Sequence, residues 1–464
     1  MPCFHSEFDL VSFDLKMGSV SDICGLMIPL AGSNLRCLAV HCQRQLPFSH
    51  DSVGVIFRFH VLGCLRHMLS VVGEIQSFHN PRLNLSAGYP EHLKKFVDTE
   101  ETESIRAEIR RWPGYAETPL VDLGSIAKAL DIEKIWYKDE SQRFDLKSFK
   151  ALGGAYATAR QLQKFVSRET NKVISIHDLL GGRYDSLTGD LVMTCATDGN
   201  HGRSVAWGCK LFGCRCVIYI HRDVSSARAS AMEALGAEVV RINGNYDDSV
   251  RRAAEDAIAF ERTVISDTSY PGYVDIPRDV TMGYTVMLAE IVEQLAGEKP
   301  THVFVQAGVG GLAAMVCGYF WHVWRAARPR IIVVEPEAAN CLQESARKGE
   351  PVVVEGELST LMAGLACGEV SFNAWQILDE GASDFVTVSE SAVVPTMKLL
   401  ARGVDDDQTV EAGESAVAGM AALILSRQSA IQSQRLGIGS GSRVLLIGTE
   451  GATDPALYRA LVAR

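Results

Sequence analysis

Lys150 lies in the segment DLKSFKALGG, which runs from Asp145 to Gly154. Set between an aromatic residue and a small apolar stretch ending in two glycines, it is either a snorkelling surface residue or an amine held in a site. A lysine amine forms imines with carbonyl groups, and burial lowers its pKa so that it can act as a base. Two further segments have chemistry within reach. TDGNHG (Thr197 to Gly202) sets Asp198, Asn200 and His201 between glycines. Asn and Gly by themselves make good turns, but an acid, an amide and an imidazole within four positions exceed what a plain turn requires. QAGVGGLAA (Gln306 to Ala314) holds Gly308, Val309, Gly310, Gly311 and Leu312. Its backbone N–H groups suit an anion at a helix N-terminus, although tight strand-to-helix turns need glycine too. It is not a Walker loop, because the G-K-[ST] ending is absent.

These residues need a scaffold that brings loop ends together. From about residue 113 the chain alternates β-branched runs with helical stretches. The strand candidates are KIWYKDE, LVMTCATDG, CVIYIH, EVVRIN, TVISDT, HVFVQAG, RIIVVEP, FVTVSE and RVLLIGTE, and SSARASAMEALGA and DSVRRAAEDAIAFER are amphipathic helices among them. This rhythm predicts an α/β protein with largely parallel sheet covered by helices on both faces. Ligands in such sheets collect where strands end. Here those ends are polar or glycine-rich: TDGNHG, SDTSYPGY, QAGVGGLA and GTEGATD.

The 464 residues suffice for two or three domains, and the balance of 22% charged to 47% hydrophobic is that of a soluble globular chain. A net charge of −11 argues against a nucleic-acid surface, which needs clustered Lys and Arg. The apolar stretch SVGVIFRFHVLGCLRHMLSVVGEI is broken by Arg58, His60, Arg66 and His67, so it reads as a buried or interfacial helix and not as a membrane span. The N-terminus lacks the pattern of a secretory signal. The 12 cysteines form no small-scaffold framework, although Cys3, Cys24, Cys37, Cys42 and Cys64 crowd the first 64 residues. GCRC (Gly213 to Cys216) has no matching second pair, so no metal is expected. A cytoplasmic protein is expected. Residues 1–88 lack the strand–helix rhythm and read as an extension without a part in catalysis.

A lysine before Gly-Gly, an Asn-His glycine turn and a later phosphate-type glycine loop together resemble pyridoxal-phosphate enzymes of the tryptophan synthase β-subunit fold type (fold type II). The resemblance implies two open, twisted, mostly parallel sheets flanked by helices. It places a large cofactor-binding domain at residues 89–161 and 278–464 and a small domain at 162–277. It gives Lys150 the Schiff base to pyridoxal 5′-phosphate, Asn200 a contact to the cofactor's 3′-oxygen, and the Gly308–Leu312 loop the phosphate. Thr449 would meet the ring nitrogen as a neutral hydroxyl, which favours elimination over transamination. Lys147 competes with Lys150, but the family motif puts an aromatic directly before the reactive lysine, as Phe149 is here.

Within that fold type, KDESQRFDLKSFKALGGAYA, TDGNHGRSVAWG, NYDDSVR, SDTSYPGY, LMAGLACGE and GTEGATD, in this order over roughly residues 112 to 460, resemble the diaminopropionate ammonia-lyases. Threonine and serine dehydratases commonly carry a small residue where Asp198 stands, and they lack the Asp267 segment in this form. The resemblance implies α,β-elimination of 2,3-diaminopropionate to pyruvate and two ammonia, through an external aldimine and aminoacrylate. Lys150 would be the base toward the L-isomer and Asp198 toward the D-isomer, with Asp267 orienting the distal ammonium. It also implies a homodimer acting on a small amino acid. A structural alternative for Asp267 is to cap the SYPGY turn. The rival functions are a serine/threonine-dehydratase-type or other β-eliminating lyase, and a cofactor-binding pseudoenzyme. The chain departs from the family pattern at Asp145 and Lys147 (commonly Gly and Asn), at Tyr270 (usually Trp) and at Ala452 (commonly Asp).

Overall fold

The computed structural model describes Leu69, residues 71–197 and residues 199–463. The five N-terminal cysteines and residues 52–68 of the apolar stretch lie outside the described residues. All nine runs expected as strands form: β3 (Lys134–Asp139), β4 (Val192–Ala196), β5 (Arg215–Ile220), β6 (Glu238–Arg241), β7 (Thr263–Val264), β8 (His302–Gln306), β9 (Arg330–Pro336), β10 (Asp384–Val388) and β11 (Arg443–Gly448). Two more complete the sheets, β1 (Ile75–His79) and β2 (Leu120–Asp122).

The larger sheet has seven strands in the order β1-β10-β9-β8-β11-β3-β2. Its five inner strands run parallel, and β1 and β2 close the edges antiparallel. β8 and β10 are buried along their whole length, and β9 and β11 at every position but the first. That follows from near-continuous Val, Ile, Leu and Phe, which a sheet covered on both faces requires. The smaller sheet, β6-β5-β4-β7, is wholly parallel.

β1 corrects one expectation. Residues 1–88 read as an extension, yet Ile75–His79 pairs residue for residue with Val388–Asp384. IQSFH shows no apolar alternation, and its place comes from the ladder and from specific contacts. Ser77 Oγ donates to Gln432 Oε1 at 2.6 Å, and His79 Nδ1 lies 3.0 Å from Asp384 Oδ1. Cross-strand pairing of this kind is set by the partner, not by the strand's own pattern.

Two features position Lys150. It opens the helix Lys150–Thr170, whose residues Ala151 to Ala159 are all buried. The Gly-Gly pair serves that packing. A Cβ on Gly153 would collide with the Tyr284 ring, and one on Gly154 would lie 2.7 Å from Ser204 Oγ. Ser204 sits on the helix Asn200–Phe212 and accepts from Ala155 N–H at 3.0 Å, so the lysine helix and the Asn-His helix touch through residues without bulk.

The second feature is the segment between β3 and Lys150, anchored by an ion cluster. Lys138 and Arg143 each reach Glu290 at 2.7 Å, Arg143 also reaches Glu140 at 2.8 Å, and all four side chains are fully buried. Beyond it Phe144, Asp145 and Lys147 take positive φ of 50°, 57° and 57°, a conformation that L-residues enter at a cost. No helix among the described residues is long and apolar enough to cross a membrane.

Candidate active site

The polar strand ends meet at Lys150. Its amine is ion-paired with Asp267 Oδ2, three residues beyond β7. Burial pushes the Lys150 pKa down, but the Asp267 carboxylate and the Tyr284 hydroxyl outweigh it, and the net shift is upward. The sequence-based expectation of a lowered pKa therefore fails for the free amine, because burial came with a counter-charge. Burial pushes Asp267 up, Lys150 and His201 pull it down, and its net shift is downward. This carboxylate faces the lysine and does not cap the SYPGY turn. That turn is closed by Tyr270 and Tyr273 through paired backbone bonds and stacked rings. Lys147, the competing lysine, points elsewhere and pairs with Glu411 at 2.8 Å in a half-exposed bridge.

Thr449 directly follows β11 and ties three parts together. Its carbonyl accepts from Phe149 N–H at 3.1 Å, which fixes the residue before Lys150. Its Oγ1 accepts from Gln306 Nε2 at 2.8 Å, so its own O–H is left as a donor. Gln306 is the last residue of β8 and leads into the glycine turn. There Gly310 has φ +95°, and a Cβ on Gly308 would lie 2.8 Å from Cys367 Sγ. Gly311 opens the helix Gly311–Trp324, and a Cβ there would come within 3.9 Å of the Asp267 carbonyl. Val309 and Leu312 complete a bend whose first helical N–H groups have no intrahelical partner. Gly308 is thus required by the close approach of Cys367 and Gly310 by its positive φ, and the turn lies against the backbone of the residue that holds Lys150.

Asn200 begins the third segment. Its Nδ2 donates to Glu450 Oε2, which orients the amide and leaves one amide hydrogen unused. Glu450 also accepts from Ser415 N–H at 3.2 Å. Arg228, whose stem lies 3.3 Å from a Cβ placed on Gly199, reaches Glu414 at 2.7 Å. Burial and the neighbouring Glu450 push the Glu414 carboxyl up to about 7. Asp198 lies outside the described residues. His201 is buried beside Asp267.

Sequence reasoning missed Tyr284, Glu450, Gln306 and the Arg228–Glu414 pair. Tyr284 packs its ring 4.7 Å from that of Phe149, and its buried hydroxyl has no hydrogen-bond partner. Nothing in TMGYTV marks it, since a tyrosine at that helical position reads as core. Glu450 was visible in GTEGATD as a carboxylate at a strand end, but its partner is 250 residues away. Of the family departures, Asp145 and Lys147 fall in the strained segment and Tyr270 is exposed on its turn. Ala452 donates its N–H to Glu411 Oε1 at 3.0 Å, beside Lys147.

The residues fit an aldehyde cofactor with a phosphate. They supply a partly buried primary amine, a glycine turn at a helix start, and a hydroxyl with a free donor hydrogen. The model of the pyridoxal-phosphate dependent enzyme family matches residues 111–450. The diaminopropionate ammonia-lyase of Escherichia coli (strain K12) is 38% identical over 358 residues, 75% of this chain and 88% of that protein. A crystal structure of diaminopropionate ammonia lyase from Escherichia coli, in complex with an aminoacrylate-PLP azomethine reaction intermediate, matches with TM-score 0.75 and 34% identity, over 84% of this chain and 97% of that one. The Escherichia coli enzyme in complex with D-serine matches with TM-score 0.77 and 33% identity over the same shares.

Proposed function

Because the chain belongs to the pyridoxal-phosphate dependent enzymes and, among them, to the diaminopropionate ammonia-lyase family, we propose that it eliminates ammonia from 2,3-diaminopropionate, giving pyruvate and a second ammonia. One observation carries the substrate: the carboxylate of Asp267 is seated against an ammonium, that of Lys150, inside the site. A substrate with a second amine supplies the same charge at the same carboxylate.

Pyridoxal phosphate, when bound, supplies the electron sink that stabilises negative charge at the substrate Cα. Lys150 has the amine to hold it, Asn200 the amide for its ring oxygen, and Gly308, Val309, Gly310, Gly311 and Leu312 the backbone for its phosphate. Thr449 offers a hydroxyl hydrogen, and a donor there suits an unprotonated ring nitrogen. The protein's own steps are proton movements and orientation. Lys150 Nζ takes the Cα proton of the L-isomer, and Asp198 takes that of the D-isomer from the opposite face. Asp267 holds the distal ammonium so that it leaves as ammonia, and the Glu450 contact keeps the Asn200 amide turned toward the ring oxygen.

The reading includes a small body at residues 162–277 set into a large one, supported by β4 to β7 forming a sheet of their own. It includes a homodimer in the cytoplasm with no nucleic-acid partner, supported by the family resemblance and the net charge of −11. Sedimentation velocity of the holoenzyme tests the dimer.

The function is tested by measuring pyruvate release from D- and L-2,3-diaminopropionate, serine and threonine. Both diaminopropionate isomers are expected as substrates, and Asp267→Asn is expected to depress both. Good turnover of serine or threonine with neither diaminopropionate isomer accepted would transfer the chain to the dehydratases. Loss of the Asp198 carboxylate in Asp198→Asn is expected to cost about 10²–10⁴ in rate on the D-isomer and far less on the L-isomer. An equal loss on both removes the face-specific base.

A further inference from the structure

Among the residues around Lys150, His201 leaves a buried ring nitrogen without a hydrogen-bond partner beside a carboxylate. Its Nε2 lies 2.7 Å from the carbonyl oxygen of Ile265. A carbonyl only accepts, so this nitrogen carries the hydrogen. The ring is buried, and its Nδ1 has no hydrogen-bond partner. That lone pair faces Asp267 Oδ2 at 3.9 Å. Burial drives the imidazole toward its neutral form, opposed by Asp267 and reinforced by Lys150, with a net downward shift. A doubly protonated ring is therefore disfavoured, and two acceptors confront each other across a gap with no hydrogen between them.

Such a gap has a chemical complement. One nitrogen placed about 2.8 Å from each acceptor satisfies both, provided that it carries at least two hydrogens. An alkylammonium has three; a hydroxyl has one. The Lys150 ammonium already rests on the Asp267 side of this gap, which shows that the carboxylate holds a cation of this kind here. We infer that His201 Nδ1 and Asp267 Oδ2 form a two-acceptor seat for the distal ammonium of the substrate, and that His201 is the residue by which the site separates a β-amine from a β-hydroxyl. A hydroxyl entering the seat satisfies one acceptor and leaves the other buried and unpaired, which disfavours serine by about 10- to 100-fold. The inference rests on the reading of the substrate given above.

Two variants separate the atoms of the ring. His201→Gln keeps an N–H donor for the Ile265 carbonyl and removes the acceptor at Nδ1. His201→Asn places a side-chain oxygen near the Nδ1 position and gives up the Ile265 contact. The readout is the ratio of kcat/KM for 2,3-diaminopropionate to that for serine, with kcat and KM reported separately. His201→Gln is expected to lower this ratio about 10- to 100-fold, mostly through KM for diaminopropionate, with serine changed only a few-fold. His201→Asn should preserve more of the ratio, whatever it does to the absolute rates. An unchanged ratio in His201→Gln, or equal losses on both amino acids, means a structural role only and overturns the inference. So does a ratio lost as fully in His201→Asn. A second readout needs no variant and no turnover: ¹⁵N NMR of histidine-labelled holoenzyme should show Nε2 protonated and Nδ1 bare. A protonated Nδ1 overturns the seat even if His201→Gln fails to fold. If the unaltered enzyme accepts serine or threonine and neither diaminopropionate isomer, the function itself is at fault. If it prefers diaminopropionate and His201→Gln keeps that preference, only the seat falls.

Discussion

Two lysines three residues apart in the chain each meet a carboxylate, and the two pairs do different things. Lys147 and Glu411 are 38% and 42% exposed and meet at 2.8 Å. Lys150 and Asp267 are 23% and 18% exposed, with His201, Tyr284 and the glycine turn around them. Water screens the first pair and contributes most of what either charge needs, so such pairs are worth at most about 1 kcal/mol. Around the second pair water is scarce, and removing either charge strands the other. Sequence distance thus says little about role. What separates the lysines is that Lys147 sits in a strained turn pointing outward, with φ +57°, while Lys150 begins a helix whose first turns are in the core.

This contrast can be broken in order of expected effect. Lys150→Ala should abolish the near-visible absorbance of the holoenzyme, while Lys147→Ala leaves it intact; the reverse result on a spectrophotometer would exchange the two lysines. Glu290→Gln strands Lys138 and Arg143 without a full counter-charge, in the cluster beneath the segment that leads to Lys150. It should cost about 3–5 kcal/mol of stability in urea unfolding, and a loss below 1 kcal/mol would mean that the cluster does not anchor that segment. Asp145→Gly relieves a positive φ and should add about 1 kcal/mol; a destabilised variant would show that the Asp145 side chain repays its strain. Lys147→Ala, which keeps the backbone strain and removes only the bridge, should cost about 0.5 kcal/mol in low salt. Raising the salt should shrink that difference, and a salt-independent cost would give Lys147 a role beyond its surface pair.

The same division explains what was legible beforehand. Strands β3 to β11 were readable because each lies in a sequence run rich in β-branched, aliphatic or aromatic residues, even where, as in β7, only two residues of the run pair in the sheet. β1 and β2 were not, for IQSFH and LVD are short edge strands held by their neighbours. The glycine turn, Asn200, Thr449 and the two lysines stood out as residue types at strand ends. The purpose of Gly153 and Gly154 did not, because the Tyr284 ring and Ser204 that require them lie far along the chain. The shift of the Lys150 amine was misread for the same reason: burial could be anticipated, but its counter-charge lies 117 residues away.

The sequence by itself determined the alternation of strand and helix, hence a parallel α/β core, and the set of polar strand ends where chemistry gathers. Those follow from periodicity and turn chemistry, which act over a few residues. Only the tertiary structure decided that Lys150 faces Asp267 while Lys147 faces Glu411, that Thr449 turns its hydroxyl hydrogen free by accepting from Gln306, and that His201 leaves a lone pair facing a carboxylate. Charge, burial and hydrogen bonding depend on partners brought together from β4, β7, β8 and β11, and no local pattern encodes the distance between residues that meet only when both sheets are in place.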